Sequence, residues 1–476
     1  MAKRILQYGF AAVLLYLIYA VCTGVLPYLH KKTVSGSFAD SAAGTDYYGS
    51  TPCADRVALV EEPLESLGAR IHLLDEARET IDLSYYAMHM GPSTDLFLGA
   101  ILRAADRGVQ VRILVDGMSG GLTWANRDYA AALGAHPNIQ LKLYNPPNPL
   151  KPWTYNGRLH DKYLIIDNRL LLLGGRNIGD KYFNPEGFEK NLSIDRDVLV
   201  YNTQWQTGSR ESVLFDVRAY LDTLWNSRDV RAPFQRDTPR GAVKRAALRN
   251  LLDTARAEYP ALFDHSGDDY TARTFPANRI TFLHNDTQIG PKEPRVGYVL
   301  GQLLRGARQS VFLQSPYVVL DSALETLLTE LGQMGIEYQI LTNSLASSPN
   351  LPAFATYLGD REEILSTGAQ VWEYQSRHAI HAKTYVIDGR MTVIGSYNLD
   401  PRSAYIDTEL MLAIDSRDFA AHLRQVQAGY QAQSLELGAD GAYLPGQGPA
   451  EVPVSRLKRG AVGALSLPVR LFKYLV

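Results

Sequence analysis

The chain has 476 residues, of which 46% are hydrophobic and 21% are charged, and its formal net charge is −2 at pH 7. This length predicts more than one domain, and the composition excludes a disordered chain, a collagen and a long coiled coil. The nearly balanced charge provides no basic field for nucleic acid, and two cysteines, Cys22 and Cys53, are too few for a disulfide framework.

The N-terminal segment, residues 1–32, is predicted to be a single-pass anchor in the cell membrane. Ile5–Leu29 carries no charged side chain and is long enough to cross a bilayer with some tilt. A cleaved signal peptide is the alternative, but its apolar region would be shorter and would end in small residues, unlike Tyr19–Cys22. Basic residues flank both ends of the apolar run, so the sequence leaves open which side of the membrane holds the rest of the chain.

Two other segments lie outside the predicted domains. Residues 33–55 are rich in small and polar residues and are predicted to be a flexible linker. Residues 436–476 end in a stretch where basic and apolar side chains are interleaved. Such a tail either lies in a membrane interface or packs on the protein core, and the sequence leaves both alternatives open.

The remaining chain contains an internal repeat, in which residues 56–235 correspond to residues 279–435. Arg56–Glu62 matches Arg279–Asn285, and strands and helical segments follow in the same order in both halves. Strands that alternate with helical patterns predict an α/β sandwich in each half. We therefore expect two pseudo-symmetric α/β/α domains, joined by a helical connection over residues 236–278.

The residue types suited to chemistry occur once in each half, at the same spacing. The first copy consists of His160, Lys162, Asp167, Gly174, Gly175 and Asn177. The second copy consists of His381, Lys383, Asp388, Gly395, Ser396 and Asn398. A single His-x-Lys carries little information, whereas two complete copies at equivalent places of a repeat form a strong signal.

Each copy places its histidine and lysine on one face of a strand, because side chains two residues apart point the same way. If a pseudo-twofold axis brings both copies into one cleft, the lysines and asparagines can neutralise and orient a phosphodiester. One imidazole can then attack phosphorus and form a covalent phosphoenzyme, while the other protonates the leaving alcohol and deprotonates the incoming one. The small residues before each asparagine let a phosphate approach the backbone.

These motifs resemble the hallmark of the phospholipase D superfamily, H-x-K-x(4)-D-x(6)-G-[GS]-x-x-N, which that superfamily carries twice. Most of residues 56–435 is similar to bacterial cardiolipin synthases, in particular those of the C-type branch, with further matches at Gly174–Asp180 and Gly395–Ser403. The resemblance implies two phospholipase D-like domains with the active site at their interface. Asn168 departs from the glycine that commonly follows the motif aspartate, but asparagine tolerates turn conformations.

The resemblance also assigns roles to the residues of the site. It favours the first histidine as the nucleophile. The predicted catalytic residues are His160, Lys162, Asp167, Asp197, His381, Lys383, Asp388 and Glu409. The predicted substrate-binding residues are Gly175, Asn177, Ser396 and Asn398.

Two of these catalytic residues are acids that orient an imidazole through its far nitrogen. The resemblance places each acid downstream of the asparagine, within the same repeat as its histidine. Aligning Asp195–Asp197 with Asp407–Glu409 favours the last acid of each range, and the first acid is the alternative one strand pleat away. The predicted pairs are Asp197 with His160 and Glu409 with His381.

No metal ion and no cofactor is expected, because the two lysines supply the positive charge that a divalent cation would bring to phosphoryl transfer. His378 and His381 are spaced as a metal pair can be, but no further ligand completes a set at a usual spacing.

Four other side chains have open roles. Tyr85 and Tyr86 either line an acyl or headgroup pocket or, as is more common, fill the core, and Trp153 is placed at the mouth of the cleft. Arg402 either contacts phosphate or forms a structural ion pair.

The resemblance implies transfer of a phosphatidyl group between phospholipids, with phosphatidylglycerol as donor and a second phospholipid as acceptor. The expected partners are phospholipid and membrane, and no nucleic acid. If water replaces the acceptor, the same site acts as a phospholipase D that releases phosphatidic acid, and the motifs do not distinguish these reactions. A phospholipase D-like nuclease is disfavoured by the slightly acidic charge, and an inactive binding module is disfavoured by the complete motifs.

Overall fold

The computed structural model describes residues 2–233, 236–260, 263, 269–446 and 448–475. Helices α1 Ala2–Gly24 and α2 Gly36–Ala43 precede the first domain. The first domain and the connection after it contain β1 Asp55–Val60, α3 Pro63–Glu76, β2 Thr80–Tyr85, α4 Pro92–Asp106, β3 Gln110–Asp116, α5 Arg127–Gly134, β4 Ile139–Tyr144, β5 Lys162–Ile166, β6 Leu170–Gly174, α6 Asp180–Phe183, β7 Ser193–Ile194, β8 Asp197–Asn202, α7 Leu214–Trp225, β9 Val230–Arg231, α8 Pro239–Glu258, α9 Tyr270–Arg273 and β10 Phe275–Pro276.

The second domain begins directly after this connection. Its elements and those of the C-terminal segment are β11 Arg279–His284, α10 Arg295–Arg305, β12 Ser310–Gln314, α11 Ser322–Gln333, β13 Glu337–Asn343, α12 Leu351–Ser366, β14 Gln370–Tyr374, β15 Ala379–Ile380, β16 Lys383–Ile387, β17 Met391–Gly395, α13 Pro401–Tyr405, β18 Leu410–Asp415, α14 Arg417–Gln431, β19 Ser434–Glu436 and α15 Arg456–Leu471. Short 3-10 helices lie at Leu26–Leu29, Trp124–Asn126, Pro152–Tyr155 and Lys473–Leu475.

Both domains are built on a central mixed sheet with the same order of strands. The first sheet runs β10-β1-β8-β6-β5-β2-β3-β4-β9, and the second runs β11-β18-β17-β16-β12-β13-β14-β19. In each sheet three strands are parallel, β2-β3-β4 in the first and β12-β13-β14 in the second, and helices connect them. The predicted repeat of two α/β domains is confirmed, because the order from β1 to β4 is the order from β11 to β14.

The strands that carry the motifs lie in the middle of each sheet. Every residue of β5, β6, β16 and β17 is buried. One buried cluster joins Leu171 and Val198 of the first domain to Ile394 and Leu412 of the second domain. The two domains therefore share a core, and this shared core holds the two motif strands at a fixed distance from each other.

The N-terminal helix agrees with the predicted apolar anchor segment. Arg4–Leu29 is long and apolar enough to cross a membrane, and only 6% of its most apolar window is buried. Residues 33–55, for which the sequence predicts a flexible linker, contain helix α2. Ala42 of this helix belongs to the core of the second domain, and the backbone N–H of Gly49 donates to Asp415 at 2.9 Å. Burial of apolar side chains within this polar stretch favours a fixed position of α2 on the second domain.

The connection over residues 236–278 contains the predicted helix, although residues 261, 262 and 264–268 lie outside the described part of the chain. In α8, Leu248 and Leu252 are buried against the first domain. Arg249 donates to both carboxylate oxygens of Asp106, at 2.8 and 2.5 Å. Arg249 of α8 is therefore used for an ion pair with the first domain.

The C-terminal tail, residues 436–476, packs one face of α15 on α12. Val462 and Val469 are buried, whereas Leu457 and Leu467 keep 84% and 75% exposure. Lys473 pairs with Asp360 at 2.7 Å. Of the two alternatives, packing on the core therefore describes one face of the tail, while apolar side chains remain exposed on another.

Candidate active site

Each motif histidine lies directly before a central strand, with its lysine on the same side. The ammonium of Lys162 donates to the backbone oxygen of His160 at 2.5 Å, and that of Lys383 donates to the backbone oxygen of His381. Both lysine side chains are buried. The short hydrogen bonds keep each ammonium beside its own imidazole, as the alternation along a strand predicts.

The orienting acids come from the opposite halves of the chain, which corrects the predicted pairs. The Nδ1 atom of His160 lies 2.8 Å from Glu409 Oε1, and the Nδ1 atom of His381 lies 2.5 Å from Asp195 Oδ2. The predicted partner Asp197 pairs with two arginines instead, and the predicted partner Glu409 binds the other histidine. Each imidazole is therefore fixed by a carboxylate of the other domain.

Strand register explains why the alignment of the two acidic stretches was wrong by two positions. Gly174 pairs with Asp197 across β6 and β8, and its equivalent Gly395 pairs with Met411 across β17 and β18. Asp197 therefore corresponds to Met411, which makes Asp195 the structural equivalent of Glu409. The pseudo-symmetry is preserved, and both orienting acids occupy the same place in their domains.

Backbone pairing between the domains produces this exchange of acids. Leu159 forms a parallel bridge with Thr408, and at the equivalent place Ile380 of β15 pairs with Ile194 of β7. In both cases the residue before the histidine pairs with the residue before the acid. Thr408 strengthens the first pairing, because its hydroxyl oxygen accepts from the backbone N–H of His160 at 2.9 Å.

Asp197 has a structural task instead. Its carboxylate pairs with Arg70 and with Arg176, each at 3.1 Å, and accepts from the hydroxyl of Ser66 at 2.8 Å. All of these side chains are buried. The predicted catalytic residue thus neutralises two guanidinium groups in the core of the first domain.

The aspartates that end the two motifs also lie away from the chemistry. Asp167 accepts hydrogen bonds from the backbone N–H groups of Arg78, Glu79 and Thr80, at 2.8 to 3.1 Å. Asp388 does the same for residues 308–310. Each lies at the far end of its motif strand from the lysine. Both aspartates, predicted to be catalytic, thus hold the loop before β2 or β12 in this structure.

Gly175 and Ser396, predicted to bind substrate, each lie against one of the two orienting acids. A Cβ atom on Gly175 would lie 2.3 Å from Asp195 Oδ1, so only glycine leaves room for that carboxylate. At the equivalent place the hydroxyl of Ser396 donates to Glu409 Oε2 at 2.5 Å.

The two motif asparagines have matching surroundings. The Asn177 amide donates to the Tyr182 hydroxyl at 3.1 Å, and the Asn398 amide donates to the Ser403 hydroxyl at 3.3 Å. In both, the amide oxygen is buried without a hydrogen-bond partner in the described part of the chain. Rotating the Asn177 amide by half a turn would let the Tyr182 hydroxyl donate to that oxygen and free the NH2 group for a phosphate. The Ser403 hydroxyl already donates to Glu409 Oε1 at 2.7 Å, so it accepts from Asn398 and does not donate to it.

The lysine of each motif lies near enough to the histidine of the other motif to lower its pKa, as is expected if the two motifs face one cleft. Burial, the neighbouring Lys162 and the more distant Lys383 hold the pKa of His160 well below 6.5. Burial, Lys383 and Lys162 likewise lower the pKa of His381 below 6.5. The imidazoles keep 12% and 24% exposure, so both rings reach the cleft while their carboxylates are fully buried. Both rings are therefore neutral near pH 7 before substrate binds.

The two orienting carboxylates differ in charge preference. Burial opposes the charge of Asp195, but Lys383 and His381 outweigh burial and hold the pKa of that carboxyl below its usual range. For Glu409, burial outweighs the attraction of Lys162 and raises the pKa. Burial also lowers the pKa of both lysines. An anionic phosphodiester bound between the ammonium groups would stabilise their charged forms.

Aromatic rings flank both imidazoles, and one of them was missed in the sequence. Tyr86 meets His160 edge to face at 5.1 Å between ring centroids, and Tyr182 meets His381 in the same way at 6.0 Å. Tyr182 and Ser403 each follow their motif asparagine by five positions, and comparing the repeats at that offset would have found both. Arg402 takes the structural alternative, since it pairs with Asp407 at 2.8 Å.

Among the described residues, no group of three or more His, Cys, Asp or Glu side chains is arranged to hold a metal ion.

This fold and this pair of histidine and lysine motifs define a phospholipase D-like protein. Residues 71–206 and 300–428 match the family described as "Cardiolipin synthase, PLD-like domain". The two matched segments make up more than half of the chain. The chain therefore belongs to this family of the phospholipase D superfamily.

Individual relatives agree with this assignment. Cardiolipin synthase C of Escherichia coli strain K12 is 29% identical over 416 residues, which cover 78% of this chain and 84% of that protein. Cardiolipin synthase of Listeria welshimeri serovar 6b is 24% identical over 363 residues, covering 75% and 64%. The crystal structure of phosphatidylserine synthase from Haemophilus influenzae Rd KW20 has a TM-score of 0.64 at 14% identity, covering 88% of this chain and 95% of that chain. That likeness shows a shared fold.

Proposed function

We propose that this protein is a membrane-associated cardiolipin synthase, which transfers a phosphatidyl group between phospholipids through a covalent phosphohistidine. The observation that carries the proposal is the crossed pairing of His160 with Glu409 and of His381 with Asp195. Because a carboxylate occupies the Nδ1 side of each ring, the Nε2 atom of each ring is the one available for chemistry. Two such rings beside two ammonium groups suit a two-step displacement at one phosphorus.

In the first step, His160 Nε2 attacks the phosphorus of phosphatidylglycerol and the bond from phosphorus to the glycerol oxygen breaks. His381, protonated when the phosphodiester binds, gives its proton to that oxygen, and glycerol leaves. In the second step, His381 takes the proton from a hydroxyl of a second phospholipid, whose oxygen attacks phosphorus while the phosphorus–nitrogen bond breaks. Glu409 stabilises the imidazolium character of His160 during both steps, and Lys162 and Lys383 stabilise charge on the non-bridging oxygens.

The lipid substrate is supported by the N-terminal segment as well as by the family. α1 is almost entirely exposed and carries no charged side chain from Ile5 to Gly24, which suits a single-pass anchor in the cell membrane. Such an anchor would keep the cleft beside its lipids. Hydrolysis to phosphatidic acid is the second candidate, because both imidazoles retain some exposure to water.

The test is mass spectrometry of lipids formed by the purified full-length protein in phosphatidylglycerol vesicles, with and without phosphatidylethanolamine. Cardiolipin with released glycerol is the expected product, and His160→Ala should form neither product nor an acid-labile phosphoenzyme. Phosphatidic acid as the sole product would make the protein a hydrolase. Unchanged lipid combined with cleavage of DNA at low salt would replace the proposal by a nuclease.

A further inference from the structure

The exposed helix α1 is held by a loop of the first domain. The hydroxyl of Tyr16 donates to the backbone oxygen of Pro149, and that of Tyr19 donates to the backbone oxygen of Leu150, both at 2.9 Å. Further along, the Asn156 amide donates to the backbone oxygen of Gly24 at 2.5 Å. The loop therefore runs beside the last turns of the apolar helix.

This loop, residues 146–155, is called the wedge here, and it is both apolar and rigid. Leu150 keeps 78% exposure, Trp153 36% and Tyr155 42%. Four of its ten residues are prolines, and the Thr154 hydroxyl donates to Lys151 O at 2.6 Å and accepts from Asn148 N at 2.9 Å. Apolar side chains thus stay exposed on a preformed turn, at little cost in conformational entropy.

Length determines where this contact lies if α1 crosses a bilayer. The helix from Ile5 to Gly24 is roughly 29 Å long, about the thickness of the hydrocarbon core. If the bilayer ended where the wedge begins, only Ile5–Leu15 would be left to cross it, and that stretch spans roughly 16 Å. A membrane-spanning α1 of this length places the Gly24 end of the contact at the edge of the hydrocarbon core, and the Tyr16 end roughly 12 Å further in along the helix axis.

We propose that the wedge inserts into the outer part of the bilayer beside α1 and sets the depth of the catalytic cleft relative to the lipid headgroups. This inference rests on the proposed lipid enzyme with a membrane-spanning α1. Leu150 and Trp153 are suited to the boundary of headgroups and acyl chains, where an indole has an apolar body and a polar N–H. Lys151 lies between them and is exposed, so its long stem lets the ammonium reach the phosphates.

The wedge is rigidly joined to the first catalytic histidine. The buried guanidinium of Arg158 donates to the Thr154 backbone oxygen at 2.7 Å and pairs with Asp116 at 3.4 Å. Asp116 in turn accepts from the backbone N–H of Leu159 at 3.0 Å, next to His160. The insertion depth of the wedge is therefore transmitted to His160 without an intervening flexible segment.

The direct test is quenching of Trp153 fluorescence in vesicles that contain the full chain and lipids brominated at different acyl positions. Bromine near the headgroup end should quench the emission that is lost in Trp153→Phe, and bromine at the bilayer centre should quench it less. If wild type and Trp153→Phe show the same quenching at every depth, the wedge does not enter the bilayer. This readout does not depend on catalysis, so it separates failure of the wedge from failure of the proposed enzyme.

A charged residue in place of Leu150, an exposed side chain of the wedge, tests whether insertion of the wedge supports turnover of lipid. Leu150→Asp should lower lipid turnover in vesicles about tenfold, the factor that burial of one leucine supplies, while hydrolysis of a soluble phosphodiester changes less than about twofold. The matched control is Leu64→Asp, on an exposed leucine (48%) at the start of α3, which should leave both activities unchanged. Equal effects of the two variants on vesicle turnover would overturn the proposal.

Discussion

Two acids that lie two positions apart before and at the start of β8 have opposite tasks. Asp195 orients His381 across the domain interface, whereas Asp197 neutralises Arg70 and Arg176 inside the first domain. Glu409 is the counterpart of Asp195. Substitutions of Asp195 and Glu409 should therefore affect catalysis, whereas the similar substitution of Asp197 should affect stability.

Glu409→Gln and Asp195→Asn keep the size of each side chain but remove the carboxylate that stabilises an imidazolium. We expect kcat on phosphatidylglycerol to fall about a thousandfold in both. Asp197→Asn should spare kcat per folded molecule and lower the free energy of unfolding by about 3 kcal/mol, because it leaves buried guanidinium charge unpaired. Steady-state kinetics with thermal unfolding of each variant checks this. If the Asp197→Asn variant were stable but inactive, the result would favour the original prediction that Asp197 orients His160.

The lowered pKa values of the two histidines predict a specific pH dependence. Both rings should stay neutral as the pH falls below 6.5, the usual value. The unfolded chain binds protons on these rings in that range and the folded chain does not, so this pair destabilises the fold as the pH falls below 6.5. Titration of the ring nitrogens by NMR measures the pKa directly.

A substitution isolates the electrostatic cause of this shift. Burial is the main cause of the lowered pKa of His381, and the Lys383 ammonium is the second. Lys383→Met keeps the buried stem but removes that ammonium, so the pKa of His381 should rise. A His381 ring that titrates near 6.5 in the wild type would contradict the prediction.

Among the elements, the turns after β6 and β17 hold the acids by different means. Gly175 leaves space for Asp195, and Ser396 donates a hydrogen bond to Glu409. Gly175→Ala should push the Asp195 carboxylate aside and lower kcat about a hundredfold. Ser396→Ala, at the equivalent turn, removes one hydrogen bond to a carboxylate and should cost about tenfold. Parallel kinetics of the two variants decides this, and an active Gly175→Ala would show that Asp195 is not needed in its present place.

The elements also show how far sequence reasoning reaches. The motif strands, the repeat and the shared face of His160 and Lys162 follow from local alternation, which depends on neighbours along the chain. The orienting acids depend on how one domain meets the other. Asp195 lies eighteen residues after Asn177, whereas Glu409 lies eleven after Asn398, so the loops differ in length and hide the equivalence. Asp195 and Asp197 are two positions apart and point to the same face of a strand. The alternation of side chains therefore does not tell which of the two orients a histidine.

Over the whole molecule, the N-terminal region divides into an exposed helix and an embedded segment. α1 has almost no burial, but Tyr28 is buried in the second domain and Lys31 pairs with Asp321 at 3.2 Å. The domain core therefore begins earlier in the chain than the repeat does. The membrane anchor, residues 1–24, is followed directly by a short segment, residues 25–32, that packs on the second domain. Truncations after residue 24 and after residue 32 should therefore have different effects on membrane activity and on stability.

Deleting residues 1–24 should leave the unfolding temperature and turnover of a soluble phosphodiester unchanged, because the removed helix contributes little to the core, while turnover of lipid in vesicles falls strongly. Deleting residues 1–32 removes Tyr28 and the ion pair of Lys31 as well, and should lower the free energy of unfolding by a further amount of about 2 kcal/mol. Thermal unfolding of both truncations, with both substrates assayed in parallel, measures the two effects. Equal stability of the two truncated proteins would show that residues 25–32 do not stabilise the fold. Full activity on vesicles without residues 1–24 would show that α1 is not needed as an anchor.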